Sequence, residues 1–409
     1  MPEFFNVLPP APALAELFKH LPAEPRPEQI ATADALDRVT AAPILSPSSL
    51  PAFPRSTMDG YAVRAQNTFG ASATLPAYLA VIGEVPMGGA PALKIEGGQA
   101  ALVHTGGMIP DGADAVVIVE HTQTTRENEI EVNKAVAVGE NTLRVGEDVS
   151  AGDGVIEPGV RLRPQELGAL MALGVVEVIV ARRPRFAILA TGDEIVPPDS
   201  DPAPGQIRDI NSYSVSGVIQ RAGGVPLRYG IAPDNFEKLL AVSTKALSEC
   251  DGLILSAGSS VSVRDMTGEV INRLGKPGVL IHGVAVKPGK PTLLAACDGK
   301  PVFGLPGNPV SALVIAGLFV QPTIERMLGL RAEPHRIVRA KLTRNVASEA
   351  GREDYVPAKL VERGGELFAE PIFGKSNLIF TLVRADGLIC IPLNANGVSE
   401  GEVVEVKLF

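Results

Sequence analysis

Between Pro184 and Ser311 the chain repeats one arrangement three times: a short apolar strand running straight into a glycine-marked polar loop. The stretches are Arg185-Phe-Ala-Ile-Leu-Ala-Thr-Gly-Asp-Glu194, Gly252-Leu-Ile-Leu-Ser-Ala-Gly-Ser-Ser260 and Pro301-Val-Phe-Gly-Leu-Pro-Gly-Asn-Pro309. In an open α/β sheet, loops at the carboxyl ends of the strands gather along one edge, where ligands bind. A Lys-Pro-Gly-Lys turn lies between the second and third loops, so the pattern predicts a pocket for an anionic, phosphate-bearing molecule.

Around these loops strands and helices alternate. Strands are expected near 185–190, 225–230, 251–255, 279–286, 292–296 and 301–305. Helices are expected near Ser212–Ala222, Asp234–Glu249, Thr267–Leu274 and Pro309–Met327. The alternation predicts a central three-layer α/β/α unit with a mostly parallel sheet, residues 184–330.

The flanks differ in character. Amphipathic patterns predict helices at Ala13–His20, Pro27–Val39 and Arg163–Leu173, with a strand at Val175–Val180. Short alternating segments at Tyr78–Gly83, Gln99–His104, Ala115–Glu120 and Glu129–Val132 predict a β-rich insertion, residues 46–139. The first unit is then discontinuous, 1–45 plus 140–183. Beyond 330 short strands return, at Arg339–Leu342, Tyr355–Leu360, Leu388–Pro392 and Glu402–Val406, and predict a β-barrel over 331–409. A chain of 409 residues exceeds one ordinary core, in keeping with four units.

Composition narrows the partners. A net charge of −9 argues against nucleic acid, although local basic groups can still hold a small anion. No stretch reads as a membrane span, and Ala312–Val320 reads as a buried helix. The N-terminus lacks a basic segment and cleavage-site pattern, and three scattered cysteines (Cys250, Cys297, Cys390) read as reduced. The expected location is the cytoplasm.

The loops carry the candidate chemistry. In Gly307-Asn308-Pro309, Asn308 suits an N-cap and Pro309 the first helical turn, whose free N–H groups favour an anion. An ordinary capped core helix would look the same. Lys287 and Lys290 lie on a turn stiffened by Pro288 and Pro291, suited to phosphate or another oxyanion, though a solvated surface turn shares the pattern. Thr191-Gly192-Asp193-Glu194 ends a strand in two carboxylates, able to hold Mg²⁺ or the donor groups of a ring, or simply to cap and solvate a turn. Asp265 adds an acid near that edge; Asp209 and Asp234 read as caps first. Ser56-Thr-Met-Asp-Gly-Tyr-Ala62, Thr105-Gly106-Gly107 and Gly146-Glu147-Asp148 lie outside this unit and read equally as turns.

In this order, Ser56-x-Met-Asp-Gly-Tyr-Ala, Thr105-Gly, Gly146-Glu-Asp148, Thr191-Gly-Asp-Glu194, Lys287-Pro-Gly-Lys-Pro291 and Gly304-Leu-Pro-Gly-Asn-Pro309 resemble the MoeA family of molybdopterin molybdotransferases, which includes the E domain of gephyrin. The resemblance covers nearly the whole chain. It implies a central unit similar to molybdopterin adenylyltransferase and a homodimer whose clefts are shared between subunits. The reaction implied inserts molybdate into adenylylated molybdopterin and releases AMP, with Mg²⁺, after transient contact with the adenylyltransferase.

Carried over by residue, the resemblance implies that Asp59, Thr105, Asp148, Asp234, Asp265, Lys287 and Lys290 act in catalysis. It implies that Thr191, Gly192, Glu194, Ser256, Gly258, Ser260, Pro291, Gly307, Asn308, Pro309 and Ser376 bind substrate. Glu194 and Asp265 would hold the metal. Departures stand at Ala257 and Ser262, where the family has glycine, and at Pro357, where it commonly has arginine; Arg352, Lys359 or Lys375 are the candidate replacements. These changes at the oxyanion end leave tungstate open as an alternative to molybdate. Molybdopterin adenylylation and a non-catalytic scaffold are the competing readings.

Overall fold

The computed structural model describes residues 7–257, 261–331 and 337–409, apart from the side chains of 257 and 261–265. Its central sheet has six strands in the order Val225–Ala232, Arg185–Thr191, Gly252–Ala257, Lys300–Pro306, Leu293–Cys297 and Pro277–His282. The first four run parallel, Leu293–Cys297 is antiparallel to them, and Pro277–His282 pairs antiparallel with it. Both faces are buried, as the continuous apolar runs require. Phe186, Ile188, Ile254 and Phe303 face one core with Ile219, Ile315 and Phe319 of the covering helices. Ala187, Leu189, Leu253 and Leu255 face the other, with Leu239, Val270 and Ile271. Gly252 has a packing reason: a Cβ there would lie 2.4 Å from the Phe186 ring.

The helical run from Pro309 to Met327 is apolar and long enough to span a membrane, yet 56% of its most apolar window is buried within the protein. Its residues Ile315, Phe319 and Ile324 belong to the sheet core. The expected buried helix is therefore present. Pro10–Phe18 is also helical and packs Ala13 and Leu17 on the same core.

Two expected elements are corrected. Residues 27–39 are not a helix: Pro27–Ala31 is a strand paired antiparallel with Glu177–Ala181, followed by a 3-10 turn at Thr32–Asp34. Ile30 packs with Leu162 and Val178, so tertiary pairing outweighs the local helical pattern. The expected strand 279–286 stops at His282. Gly283 then takes φ +100°, and Val286–Lys287 turns away to pair with Glu353–Asp354 of the C-terminal region.

The β-rich segment forms a six-stranded sheet in the order Ala115–Ile118, Gly60–Val63, Gln99–Val103, Ala77–Glu84, Glu129–Val132 and Thr122–Arg126. Gly60 of the Asp-Gly-Tyr-Ala motif allows close strand approach, since a Cβ would sit 2.1 Å from the Val117 carbonyl oxygen. At the C-terminus, Glu353–Arg363, Glu366–Pro371, Ile337–Leu342, Val403–Leu408 and Gly387–Ile391 close into a five-stranded barrel. Ala358, Ile389 and Val406 lie in its interior.

Asp251, at the entry to a central strand, joins distant parts of the chain. It accepts from the Arg26 and Arg182 guanidinium groups at 2.9 and 2.7 Å and from the Arg185 N–H at 2.8 Å. Burial pushes its carboxyl up, but that N–H and the guanidinium groups outweigh it and leave the pKa below the ordinary value. A depressed folded pKa contributes stability that is fully present above the unfolded value of about 3.9 and lost as pH falls through the folded one. The melting temperature of the native protein should therefore fall more steeply below about pH 4 than that of Asp251→Asn. Parallel slopes in a thermal-melt series would remove the assignment.

Candidate functional site

Register aligns the ends of the parallel strands: Ala190 lies beside Ser256, and Ser256 beside Leu305. The Thr191, Ser256 and Gly307 loops therefore leave one edge together, as expected. Asn211, the first residue of the helix Asn211–Ala222, ties two of them by donating Nδ2 to Ser256 Oγ at 3.0 Å and to the Gly307 carbonyl at 2.8 Å. Its Oδ1 is buried and has no hydrogen-bond partner among the described residues. Asp209 receives the Ser212 N–H at 3.1 Å, the capping role expected of it.

The first loop gathers its own acids. Thr191 Oγ1 donates to Asp234 Oδ1 at 2.9 Å, and the Asp234 N–H donates to Asp193 Oδ1 at 3.2 Å. Gly192 holds φ +147°, and the Glu194 carboxylate folds back so that a Cβ on Gly192 would lie 2.7 Å from Oε2. Glycine is needed here for both conformation and space.

A cleft of about 760 Å³ opens between the Lys287–Lys290 turn, the Gly307-Asn308 corner and the barrel. Its rim includes Pro291, Arg352, Asp354, Pro357, Lys375 and Ser376. Asn308 stands at the helix N-cap, but its side chain does not cap. Its amide donates to Ser376 Oγ at 3.0 Å, while the Val310 N–H donates to the Ser376 carbonyl at 3.1 Å. That corrects the capping expectation: the Ser376 carbonyl, in the segment after the barrel strand Glu366–Pro371, satisfies the helix start, and the Asn308 amide reaches the Ser376 hydroxyl 68 residues away. Pro309 occupies the first helical position and is buried.

The cations of the cleft differ. Buried Asp354 accepts from Arg352 Nε at 2.8 Å and pairs with Lys287 Nζ at 3.6 Å. Lys290 and Lys375 are exposed and form no ion pair among the described residues. Gly289, at φ +116°, brings the turn against Ile315; a Cβ would be 2.6 Å from that side chain. Where the resemblance implies an arginine, Pro357 lines the cleft. Arg352 and Lys375 line it too, whereas Lys359 does not.

Asp59, Thr105 and Asp148 line neither this cleft nor the cavity beside the Thr191 loop. Asp59 and Thr105 do meet each other: the Thr105 N–H and hydroxyl donate to Asp59 Oδ1 at 2.7 and 3.1 Å. That N–H first, then the hydroxyl, holds the Asp59 carboxyl below its ordinary range. Asp148 is exposed on the turn whose N–H bonds the Leu50 carbonyl. Gly258 and Ser260 lie outside the described residues, as does the side chain of Asp265.

Sequence reasoning passed over Asn211 and Asp354. The available signals were an Asp two residues before an Asn at a helix start, and an Asp inside the strand entry Gly351-Arg-Glu-Asp354.

Parallel strands ending in glycine loops, with lysines facing a β-barrel across a cleft, define a multidomain α/β ligand-binding protein. Three family models match it in order: the MoeA N-terminal region (domain I and II) over residues 8–174, the "Probable molybdopterin binding domain" over 187–326, and the MoeA C-terminal region (domain IV) over 339–409. The chain belongs to the MoeA family. It is 37% identical over 404 residues to a Methanocaldococcus jannaschii protein, covering 96% of this chain and 95% of that one. It is 34% identical over 395 residues to the molybdopterin molybdenumtransferase of Bacillus subtilis, covering 95% and 91%. The crystal structure of a molybdopterin biosynthesis moeA protein from Pyrococcus horikoshii superposes with a TM-score of 0.86 at 31% identity, covering 99% of this chain and 100% of that one.

Proposed function

We infer that this protein inserts molybdate into adenylylated molybdopterin and releases AMP, the final step of molybdenum cofactor biosynthesis. The observation that carries the reading is the lysine cleft. Lys287, Lys290, Arg352 and Lys375 converge there with the Asn308 and Ser376 polar groups, a setting for a dianionic oxyanion and a phosphate. The full-length likeness to a relative named molybdopterin molybdenumtransferase supports it.

In this reading Lys290, with Lys287, meets the oxygens of molybdate and of the departing phosphate, where charge spreads as the adenylyl bond breaks. Ser376 and Asn308 orient the oxyanion, and Asn211 holds the two loops in register. Glu194 and Asp265 are the residues proposed to hold Mg²⁺, which when bound would offset charge on phosphate oxygens. Among the described residues no group of three or more His, Cys, Asp or Glu side chains is placed to hold a metal. That fits Mg²⁺, which commonly takes one or two carboxylates and completes its shell with water and substrate phosphate.

Asp59 and Thr105 of the insertion, and Asp148 of the unit beside it, enter the proposal through a homodimer in which one subunit completes the partner's cleft. The four-unit division, a cytoplasmic setting and transient contact with the adenylyltransferase belong to the same proposal. Two measurements test it. AMP release from adenylylated molybdopterin should depend on molybdate. Mixing Asp59→Ala and Lys287→Ala subunits should restore part of the activity that each homodimer lacks. Release indifferent to molybdate would overturn the reaction; absence of complementation would overturn the shared cleft.

A further inference from the structure

Three strand ends of the insertion sheet bring Asp59, Glu84 and His104 together. Gly60–Val63 pairs antiparallel with Gln99–Val103, Gly60 beside Val103, which sets Asp59 opposite His104. His104 Nε2 lies 2.8 Å from Glu84 Oε1, and its Nδ1 faces Asp59 Oδ1 at 3.9 Å. We propose that His104, braced by Glu84, is a positioning residue that holds the Asp59 carboxylate for the reaction. The inference rests on the proposed role of Asp59 and names two groups that act through it.

Backbone geometry aims the brace. Val81 pairs with Ala100 and Glu84 with Leu102, three steps on one strand against two on its neighbour. The extra residue is a bulge, which re-aims the side chain beyond it. Glu84 therefore emerges on the face of Leu102, the face to which His104 returns two residues later. The donors also converge. The Thr105 N–H and hydroxyl reach Asp59 Oδ1 at 2.7 and 3.1 Å, and the ring meets the same oxygen. Asp59 Oδ2 takes part in no hydrogen bond or ion pair among the described residues, so the carboxylate is held by one oxygen and offers the other. The Thr105 N–H, then its hydroxyl, keep the Asp59 carboxyl below its ordinary range against some burial, and a charged His104 ring lowers it further.

The backbone at both ends of the contact is fixed without the ring. The Asp59 carbonyl accepts the Val119 N–H at 3.1 Å, and the His104 carbonyl accepts the Gly107 N–H at 2.8 Å. At 3.9 Å the ring and Asp59 are beyond hydrogen-bond reach, so the ring acts through its charge. A neutral ring has one N–H, which Glu84 takes at Nε2; the doubly protonated ring has a second to turn toward Asp59. The His104, Asp59 and Glu84 side chains are 39%, 64% and 56% exposed. Ion pairs that exposed contribute little to folding, so orienting Asp59 is the better account of this one.

The test is steady-state AMP release from adenylylated molybdopterin, with molybdate, by the full-length protein. His104→Gln keeps a donor but no charge. It should lower kcat about fivefold, the upper end for one exposed ion pair, with KM and melting temperature unchanged. His104→Arg restores a cation and should recover part of that loss. Glu84→Gln should lower kcat about twofold. Added to His104→Gln it should lower kcat no further, because it acts through the ring. In an Asp59→Asn background, His104→Gln should have no effect. A change of less than about twofold for His104→Gln, or the same loss in the Asp59→Asn background, would overturn the assignment. If Asp59→Asn itself releases AMP at the native rate, the role of Asp59 fails and this inference with it. A slow Asp59→Asn beside a native-rate His104→Gln would sink only this inference.

Discussion

Lys290→Ala should lower molybdate-dependent AMP release by about 10²–10³-fold, the usual loss when one preorganised charge is removed from a developing oxyanion. The melting temperature should hardly change, because Lys290 is exposed and forms no ion pair among the described residues. Its charge is thus not shared with the protein, whereas that of Lys287 is divided with Asp354. The backbone of the turn is set independently of the ammonium group. The Lys290 carbonyl accepts the Val284 and Thr292 N–H groups, and Thr292 Oγ1 donates to the Gly289 carbonyl at 2.6 Å. Lys290→Arg should recover part of the rate, since charge matters more than shape at a point contact. Single-turnover assays at saturating molybdate separate lost binding from lost chemistry. A change of less than threefold for Lys290→Ala would place the oxyanion elsewhere in the cleft.

Asp354→Ala should destabilise the protein by about 2–3 kcal/mol. Breaking a buried ion pair typically costs about 3–5 kcal/mol, and the half-exposed Lys287 partner reduces the figure because water screens it. Asp354 is 3% exposed and lies where Val286–Lys287 adds to the barrel strand Glu353–Arg363. Its carboxylate binds Arg352 and Lys287 together, so alanine removes the buried acid between them and leaves Arg352 paired only with the exposed Glu349 at 2.8 Å. Asp354→Asn should fall between, keeping an acceptor for Arg352 Nε but no charge. Denaturant unfolding checks the order native, Asn, Ala. The double variant Asp354→Ala with Lys287→Met should recover part of the loss. If the double variant is no more stable than Asp354→Ala, the unpaired Lys287 charge is not part of the cause.

Much of the architecture was legible because it rests on near-neighbour patterns. Apolar runs bounded by Gly and Pro marked the parallel strands, and alternation marked Ala77–Glu84, Gln99–Val103, Ala115–Ile118 and Glu129–Val132 of the insertion sheet, though not Gly60–Val63 or Thr122–Arg126. The loop set was legible for the same reason: strand, glycine, acid and Lys-Pro-Gly-Lys are all short-range signals. The failures are as instructive. Residues 27–31 carry a helical pattern, yet pair with Glu177–Ala181, roughly 150 positions away. Asn308 carries an N-cap pattern, yet gives its amide to Ser376.

What the sequence alone determined was most of the series of strands, the glycine positions where the backbone must turn left-handed or pass close to a neighbour, and the inventory of lysines and acids. Only the tertiary structure decided which of these groups are neutralised, which are free and which cavity each faces. Lys287 and Lys290 are three residues apart and alike in sequence. Asp354, brought in by strand pairing with the barrel, pairs with Lys287, while Lys290 forms no ion pair among the described residues. Charge and hydrogen-bond energies depend on separations of a few ångströms, and those separations are set by packing between segments that the chain order does not place together.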